Sequence, residues 1–286
     1  NTYAFPEAAS KKGLQVNSIL QSDVEDLGVK HGLVSILLNS LVAGGNDPVM
    51  EYTYNGKTYR LNASIIAALD DQIKAMYSSG VVGSVVLLAM PGNSLPLTYP
   101  GLDAGKGNYH ALNTRTREGI EAVSALVHFL AERYSRSDAK YGRIVNWIVG
   151  NEINGESSWN YMGHPDLETY TEECARALRL VDTAVKSAYS NARTYMSLDF
   201  YWYGTENSQR YDGKDMIDYV NAHLKTEGDI YWGVAYHPYP IPLTEPGFWD
   251  DPVTDSEYST VINFKNLNVS GERRHLPVGR HASTRY

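Results

Sequence analysis

The residues with the clearest capacity for chemistry are Asn151 and Glu152. They follow an apolar run, Ile144-Val145-Asn146-Trp147-Ile148-Val149, and a single glycine, Gly150. The run predicts a buried strand. Its abrupt change to Gly-Asn-Glu places an amide and a carboxylate side by side at the strand's C-terminal end, where (β/α) barrels carry their chemistry. Partial burial at a strand end would favour the protonated form of such a carboxyl group, which could then donate to a glycosidic oxygen. Glycosidic cleavage commonly needs two carboxyl groups, one as acid and one as nucleophile or base. Glu152 fits the acid. Asn151 fits a hydrogen bond to the sugar 2-hydroxyl, a contact that strengthens in the transition state. The plain alternative is a solvent-facing turn carboxylate after a strand.

Other candidates share that address. Asp199, Tyr201 and Trp202 stand at the end of a predicted fifth strand, and His237 and Tyr239 at the end of a sixth. His237 suits a hydrogen bond to substrate or to a catalytic carboxylate. Tyr239, Trp202 and Trp159 offer flat aromatic faces that suit the C–H face of a pyranose. For each aromatic, ordinary packing is the competing role. His31 and Asn39 sit at early strand ends. The second carboxylate is not evident: Glu245, Glu257 and Glu272 do not follow an apolar strand, so none is assigned as nucleophile.

The elements that must position these residues alternate along the chain, which favours an α/β fold with parallel strands. Strands are predicted at Leu14–Ser18, Leu33–Leu38, Val81–Met90, Ile144–Val149, Tyr195–Phe200 and Tyr231–Tyr236. A short acidic helix is expected near Asp23–Lys30. Residues 51–60 alternate around Asn55-Gly56 and predict an inserted hairpin. Ile65, Ile66, Leu69, Ile73, Met76 and Tyr77 form a helical stripe ended by Gly80. Further helices carry Ile120 to Tyr134, residues 166–191 (with a capping box from Thr169 and Glu172) and Gly213–Glu227. Residues 91–113 form a long Gly/Pro-rich loop. Six βα units are therefore expected, a TIM-type (β/α) barrel left incomplete, in one domain over residues 1–269. The segment from Ser270 to Tyr286 holds four Arg and two His against one Glu and is expected to be a basic tail, solvated or non-native.

Bulk composition bounds the partners. With 286 residues and 43% hydrophobic content, the chain can bury a sizeable core. A net charge of −8 argues against nucleic acid and anionic membranes, and no run approaches the ~20 apolar residues of a membrane span. The single cysteine, Cys174, excludes an internal disulfide and falls on a helical apolar stripe, as a core thiol would. Tyr outnumbers Phe by 22 to 5, a balance that suits sugar rings. Asn1 in place of Met fits removal of an upstream segment. No Walker-type loop, dinucleotide fingerprint, nucleophile elbow or zinc helix is present, so no cofactor or metal is assigned. A divalent site built from scattered Asp and His stays open as an alternative.

The stretch Trp147-Ile-Val-Gly150-Asn151-Glu152-Ile-Asn154 resembles the fourth-strand signature of clan A glycoside hydrolases, and Ala235-Tyr236-His237-Pro238-Tyr239 resembles their sixth-strand end. The resemblance spans residues 13–239. It implies a retaining enzyme on a (β/α)8 barrel, Glu152 as acid/base, Asn151 as the 2-hydroxyl partner and an oligo- or polysaccharide substrate. Secretion or a periplasmic location is expected from that substrate class. The clan's nucleophile is a Glu ending the seventh strand, and no seventh strand is recognisable here. The chain is thus expected to be weakly active or inactive, with a non-catalytic carbohydrate-binding barrel as the rival. An unclosed sheet also predicts a homo-oligomer that covers the open edge.

Overall fold

Two strand sequences set the architecture. Val82–Leu88 and Ile144–Val149 are apolar almost throughout, as strands buried on both faces must be. A computed structural model describes residues 1–16, 21–92 and 94–271. In chain order the main elements are β1 (Gly13–Gln15), α1 (Gln21–Asp26), β2 (His31–Leu37), β3 (Val49–Tyr54), β4 (Lys57–Asn62), α2 (Ala63–Ser78), β5 (Val82–Leu88), α3 (Arg117–Tyr134) and β6 (Ile144–Val149). They continue with α4 (Glu156–Trp159), α5 (Leu167–Ala188), β7 (Arg193–Leu198), α6 (Gly213–Thr226), β8 (Trp232–Tyr236) and α7 (Asn268–Gly271).

Strands β1, β2, β5, β6, β7 and β8 pair in that order, all in parallel, while β3 and β4 form a separate antiparallel hairpin. This is an incomplete (β/α) barrel of six strands, as the sequence predicts. Among the described residues the sheet does not close, and β1 and β8 are its edges.

The two faces of the sheet differ. Val85, Leu87, Val145, Trp147 and Val149 point outward into one large core shared with the helices. Val86, Leu88 and Ile148 point inward and form a small separate cluster with Leu33, Leu37, Tyr195 and Ala235. A polar row runs beside it: Asn146 donates to Ser84 Oγ at 3.0 Å, and the Tyr195 hydroxyl donates to Asn146 at 3.3 Å. In a closed barrel such residues fill the interior. Here the concave face stays partly open, and Leu33, Ser35, Leu37 and Tyr195 keep solvent exposure.

Helix ends follow local chemistry. Asn62 accepts from the backbone N–H groups of Ser64 and Ile65, and Thr116 from that of Gly119. At α5 the expected Thr169–Glu172 box is replaced: Asp166 is the cap, accepting from both the backbone and the hydroxyl of Thr169. Glu172 pairs instead with Arg176 at 2.6 Å. The expected first strand is shorter than predicted, and Asn17 and Ser18 lie outside the described residues. Cys174 packs against the core as expected, and burial pushes its thiol up.

The predicted loop 91–113 is tied down rather than free. Residues Thr98 and Leu112 form an antiparallel bridge, and the His110 and Ala111 amides donate to Ala89 and Tyr161. At the opposite end of the sheet, the N-terminal segment is strapped on by aromatic and cationic contacts. Tyr3 stacks on Tyr189 at 4.0 Å, Arg143 lies 3.9 Å from the Tyr3 ring, and Arg193 lies 3.6 Å from that of Phe5. Of the basic tail expected over residues 270–286, Ser270 and Gly271 belong to α7, and residues 272–286 lie outside the described residues.

Candidate active site

The site is built where β6 stops. Gly150 has φ +72°, and a Cβ there would sit 2.6 Å from the Ile153 side chain, so only glycine fits. The turn that follows puts Glu152 itself in the left-handed region, at φ +43°. For a residue with a side chain that conformation costs about 1–2 kcal/mol and persists only when its surroundings hold it.

Strand β7 does the holding. Glu152 N–H donates to Ser197 Oγ at 3.0 Å, and Ile153 N–H to the Ser197 carbonyl at 3.0 Å. One turn further, Asn154 and Asp199 pair reciprocally: the Asn154 amide donates to the Asp199 carboxylate, and Asp199 N–H donates back to Asn154 Oδ1 at 2.9 Å. A second layer lies behind the turn. The Tyr170 hydroxyl donates to the Ile153 carbonyl at 2.6 Å and receives the Asn160 amide at 2.8 Å. Glu156, fully buried, accepts the backbone N–H groups of Met162 and His164 at 2.6 and 3.0 Å.

Glu152 is buried, with 11% of its side chain exposed. Its Oε1 lies 2.7 Å from Nδ1 of His237, which follows β8 directly. The pair stays hydrogen-bonded in either protonation state: a carboxylate accepts from an Nδ1–H, and a carboxylic acid donates to a bare Nδ1. The Tyr239 hydroxyl lies 3.2 Å from the same nitrogen. Burial, reinforced by the charge of Glu152, pushes Tyr239 up to about 12. Asp199 is also raised, first by burial and further by Glu152, against the lowering hydrogen bonds from Tyr201 N–H and Asn154.

The structure thus brings Glu152, His237 and Tyr239 into contact and sets Asp199 behind them as the buried partner of Asn154. Asn151 is half-buried beside Glu152. Trp159 is half-buried on α4, its ring 6.1 Å from that of Tyr109. The aromatic expectation for Trp202 is corrected. Its ring is fully buried, Nε1 donates to the Glu257 carbonyl at 3.0 Å, and it offers no face to a ligand. Burial follows because the chain returns over it: Trp202 N–H donates to the Thr260 carbonyl, and Ile262 N–H to that of Phe200. His31 begins β2, at the end away from the mouth. Asn39 is occupied by reciprocal hydrogen bonds with the Met90 backbone.

Sequence reasoning missed Ser197, Asn154, Tyr170 and Glu156. Only Asn154 carried a signal, through its place in the Asn-Glu-Ile-Asn stretch. Of the strip beside Tyr239 it named Tyr201 and missed Phe200 and Arg210. Phe200 meets Tyr239 edge-on at 5.9 Å and Tyr201 at 4.4 Å, and the Arg210 guanidinium lies 3.6 Å over the Tyr201 ring. Glu245 and Glu257 are exposed. Among the described residues no group of three or more His, Cys, Asp or Glu is placed to hold a metal ion.

Three solved structures serve as points of comparison. A family 1 β-glucosidase from Thermotoga maritima is 13% identical, with a TM-score of 0.43, covering 77% of this chain and 52% of that one. The β-glucosidase from Thermotoga maritima in complex with deoxynojirimycin gives 15%, 0.45, 77% and 52%. The AHE enzyme from Alicyclobacillus herbarius gives 15%, 0.39, 71% and 40%. The match thus spans about half the length of the β-glucosidase chains. No curated protein matches the sequence significantly. The family model for a family of unknown function, DUF5722, matches residues 4–272, and the chain belongs to that family.

Proposed function

We propose that the protein binds an oligo- or polysaccharide at the mouth of the incomplete barrel, with Glu152 as the general acid/base of a glycosidase-type site. The observation that carries this reading is the Glu152–His237 contact, 2.7 Å across the ends of β6 and β8, on a turn held in a costly conformation. A conformation of that kind is retained where the surroundings over-determine it, and such positions cluster at functional sites. The imidazole supports proton transfer by donating its Nδ1–H to Oε1, which leaves the acid proton on Oε2 free to pass to the glycosidic oxygen and holds the carboxylate that remains. Asn151 is the partner of the sugar 2-hydroxyl, and Tyr239, with the Phe200–Tyr201 strip, receives the ring faces.

A retaining reaction requires a second carboxylate about 5–5.5 Å from the acid. Asp199 is the neighbouring carboxylate whose charge acts on its surroundings together with that of Glu152, but its oxygen is engaged by Asn154 and Tyr201. We therefore assign the described residues the acid half of the reaction and leave the nucleophile unassigned. A panel of aryl glycosides assayed with wild type and Glu152→Gln tests the assignment. Loss of turnover with retained sugar binding is expected, and turnover unchanged by the substitution would sink it. Sugar binding without turnover by the wild type would favour a carbohydrate-binding barrel, the reading supported by the engaged Asp199.

A further inference from the structure

Away from the mouth, hairpin β3–β4 stands beside α3 and α5 and encloses a groove of about 870 Å3. None of the strand-end residues discussed above lines it. Its walls are preset. On the hairpin side, the Tyr52 hydroxyl lies 2.7 Å from His128 Nδ1 and donates to Glu132 at 2.9 Å, while the Tyr54 ring lies 5.0 Å from that of His128. On the α5 side, Arg176 is held by Glu172 and Glu173, and Arg179 donates to the Gly228 and Leu224 carbonyls at 2.7 and 2.8 Å. A ligand entering between such walls immobilises few side chains, which keeps its entropic cost low.

The lining is mixed. Tyr54 and the 41%-exposed Ile120 supply apolar faces, and Ser124, Thr183 and Ser187 supply hydroxyls. Arg115 is open to solvent, and its ion pair to Glu173 among the described residues is long at 3.6 Å, so its guanidinium retains donors for a ligand. A lining that mixes apolar faces with hydroxyl and guanidinium groups complements a pyranose ring, which presents C–H faces and a rim of hydroxyls. The volume lies within the range of ligand sites.

We propose that this groove is a second oligosaccharide-binding site, engaging a stretch of glycan separate from that at the mouth. The choice of a saccharide rests on the function proposed above. The test uses Glu152→Gln protein, to prevent turnover, titrated with cellohexaose, xylohexaose and mannohexaose and followed by amide NMR and calorimetry. The expected result for at least one sugar is shifts at residues 53–55 and 180–187. Thr183→Trp, an exposed position that fills the groove, then weakens that binding at least tenfold while shifts at residues 151–155 persist. Tyr54→Ser provides an independent second variant, and circular dichroism checks the fold of both. Shifts confined to the mouth, or groove affinities within twofold of the parent in both variants, would overturn the groove site alone. Absence of binding at either place overturns both readings.

Discussion

Glu152 Oε1 and His237 Nδ1 lie 2.7 Å apart, although 85 residues separate them in the chain. The contact joins the ends of two strands that are not neighbours in the sheet, since β7 lies between β6 and β8. If this pair handles a proton, His237→Ala lowers turnover and reshapes its pH profile, while Glu152→Gln removes turnover by about 10²–10⁴-fold, the usual worth of a general acid. Steady-state kinetics from pH 4 to 9 on both variants checks this. A His237→Ala profile parallel to that of the wild type would reduce the imidazole to a packing role.

The turn conformation gives a stability prediction separable from activity. Glu152→Gly and Glu152→Ala both delete the carboxylate, but only glycine is at ease at φ +43°. The glycine variant is expected to be ~1 kcal/mol more stable than the alanine variant. Urea denaturation of the two measures it, and equal midpoints would show that the backbone is not strained there.

Gly150→Ala acts in the opposite direction. The new methyl meets the Ile153 side chain at 2.6 Å in a backbone region that disfavours it. A loss of about 2–3 kcal/mol is expected from overpacking and the left-handed backbone together. A loss below 0.5 kcal/mol, by chemical denaturation, would mean that the turn relaxes readily.

Asp199 sets a pH dependence. Its folded value is raised above the unfolded one, so in the interval between them the folded state binds more protons. Stability from this group is therefore highest below the unfolded carboxylate range and falls as pH rises through the raised folded value. Asp199→Asn keeps an acceptor for Tyr201 N–H and removes that slope. Thermal melts across pH 3–8 should show the wild type losing more on the alkaline side of this window than the variant does, and parallel curves would count against it.

Tyr170→Phe deletes a hydroxyl that serves both the Ile153 carbonyl and the Asn160 amide in a fully buried position. A cost of about 1–3 kcal/mol is expected, because both partners are left unsatisfied. Turnover should fall with it if the layer behind the turn positions Glu152. Stability loss with unchanged kcat would confine Tyr170 to folding.

The open concave face predicts self-association. Leu33, Leu37 and Tyr195 are partly exposed beside the inner apolar cluster, and among the described residues β8 is an edge strand of the sheet. Sedimentation at micromolar concentration should show a dimer or larger species, and a clean monomer would refute it.

How far the sequence reached can be seen in particular residues. The six sheet strands were legible because continuous apolar runs and helical stripes are local patterns, and the hairpin because Asn55-Gly56 is a local turn signal. The capping residue of α5 was misplaced by one turn, since Asp166 and Thr169 both satisfy the local preference and geometry chooses between them. Trp202 was misread because its address at a strand end says nothing of the segment around Thr260 that covers it.

The sequence by itself determined the order and type of the elements and the position of Glu152 at the end of a buried strand, since these depend on spacing and hydrophobicity along one stretch of chain. Only the tertiary structure decided what Glu152 touches and how it is held. Ser197 and His237 come from two other segments and meet Glu152 because parallel pairing sets strand ends level with one another, while Tyr170, from α5, backs the turn through the Ile153 carbonyl. Register and side-chain direction are properties of the packed sheet, and no local pattern encodes them.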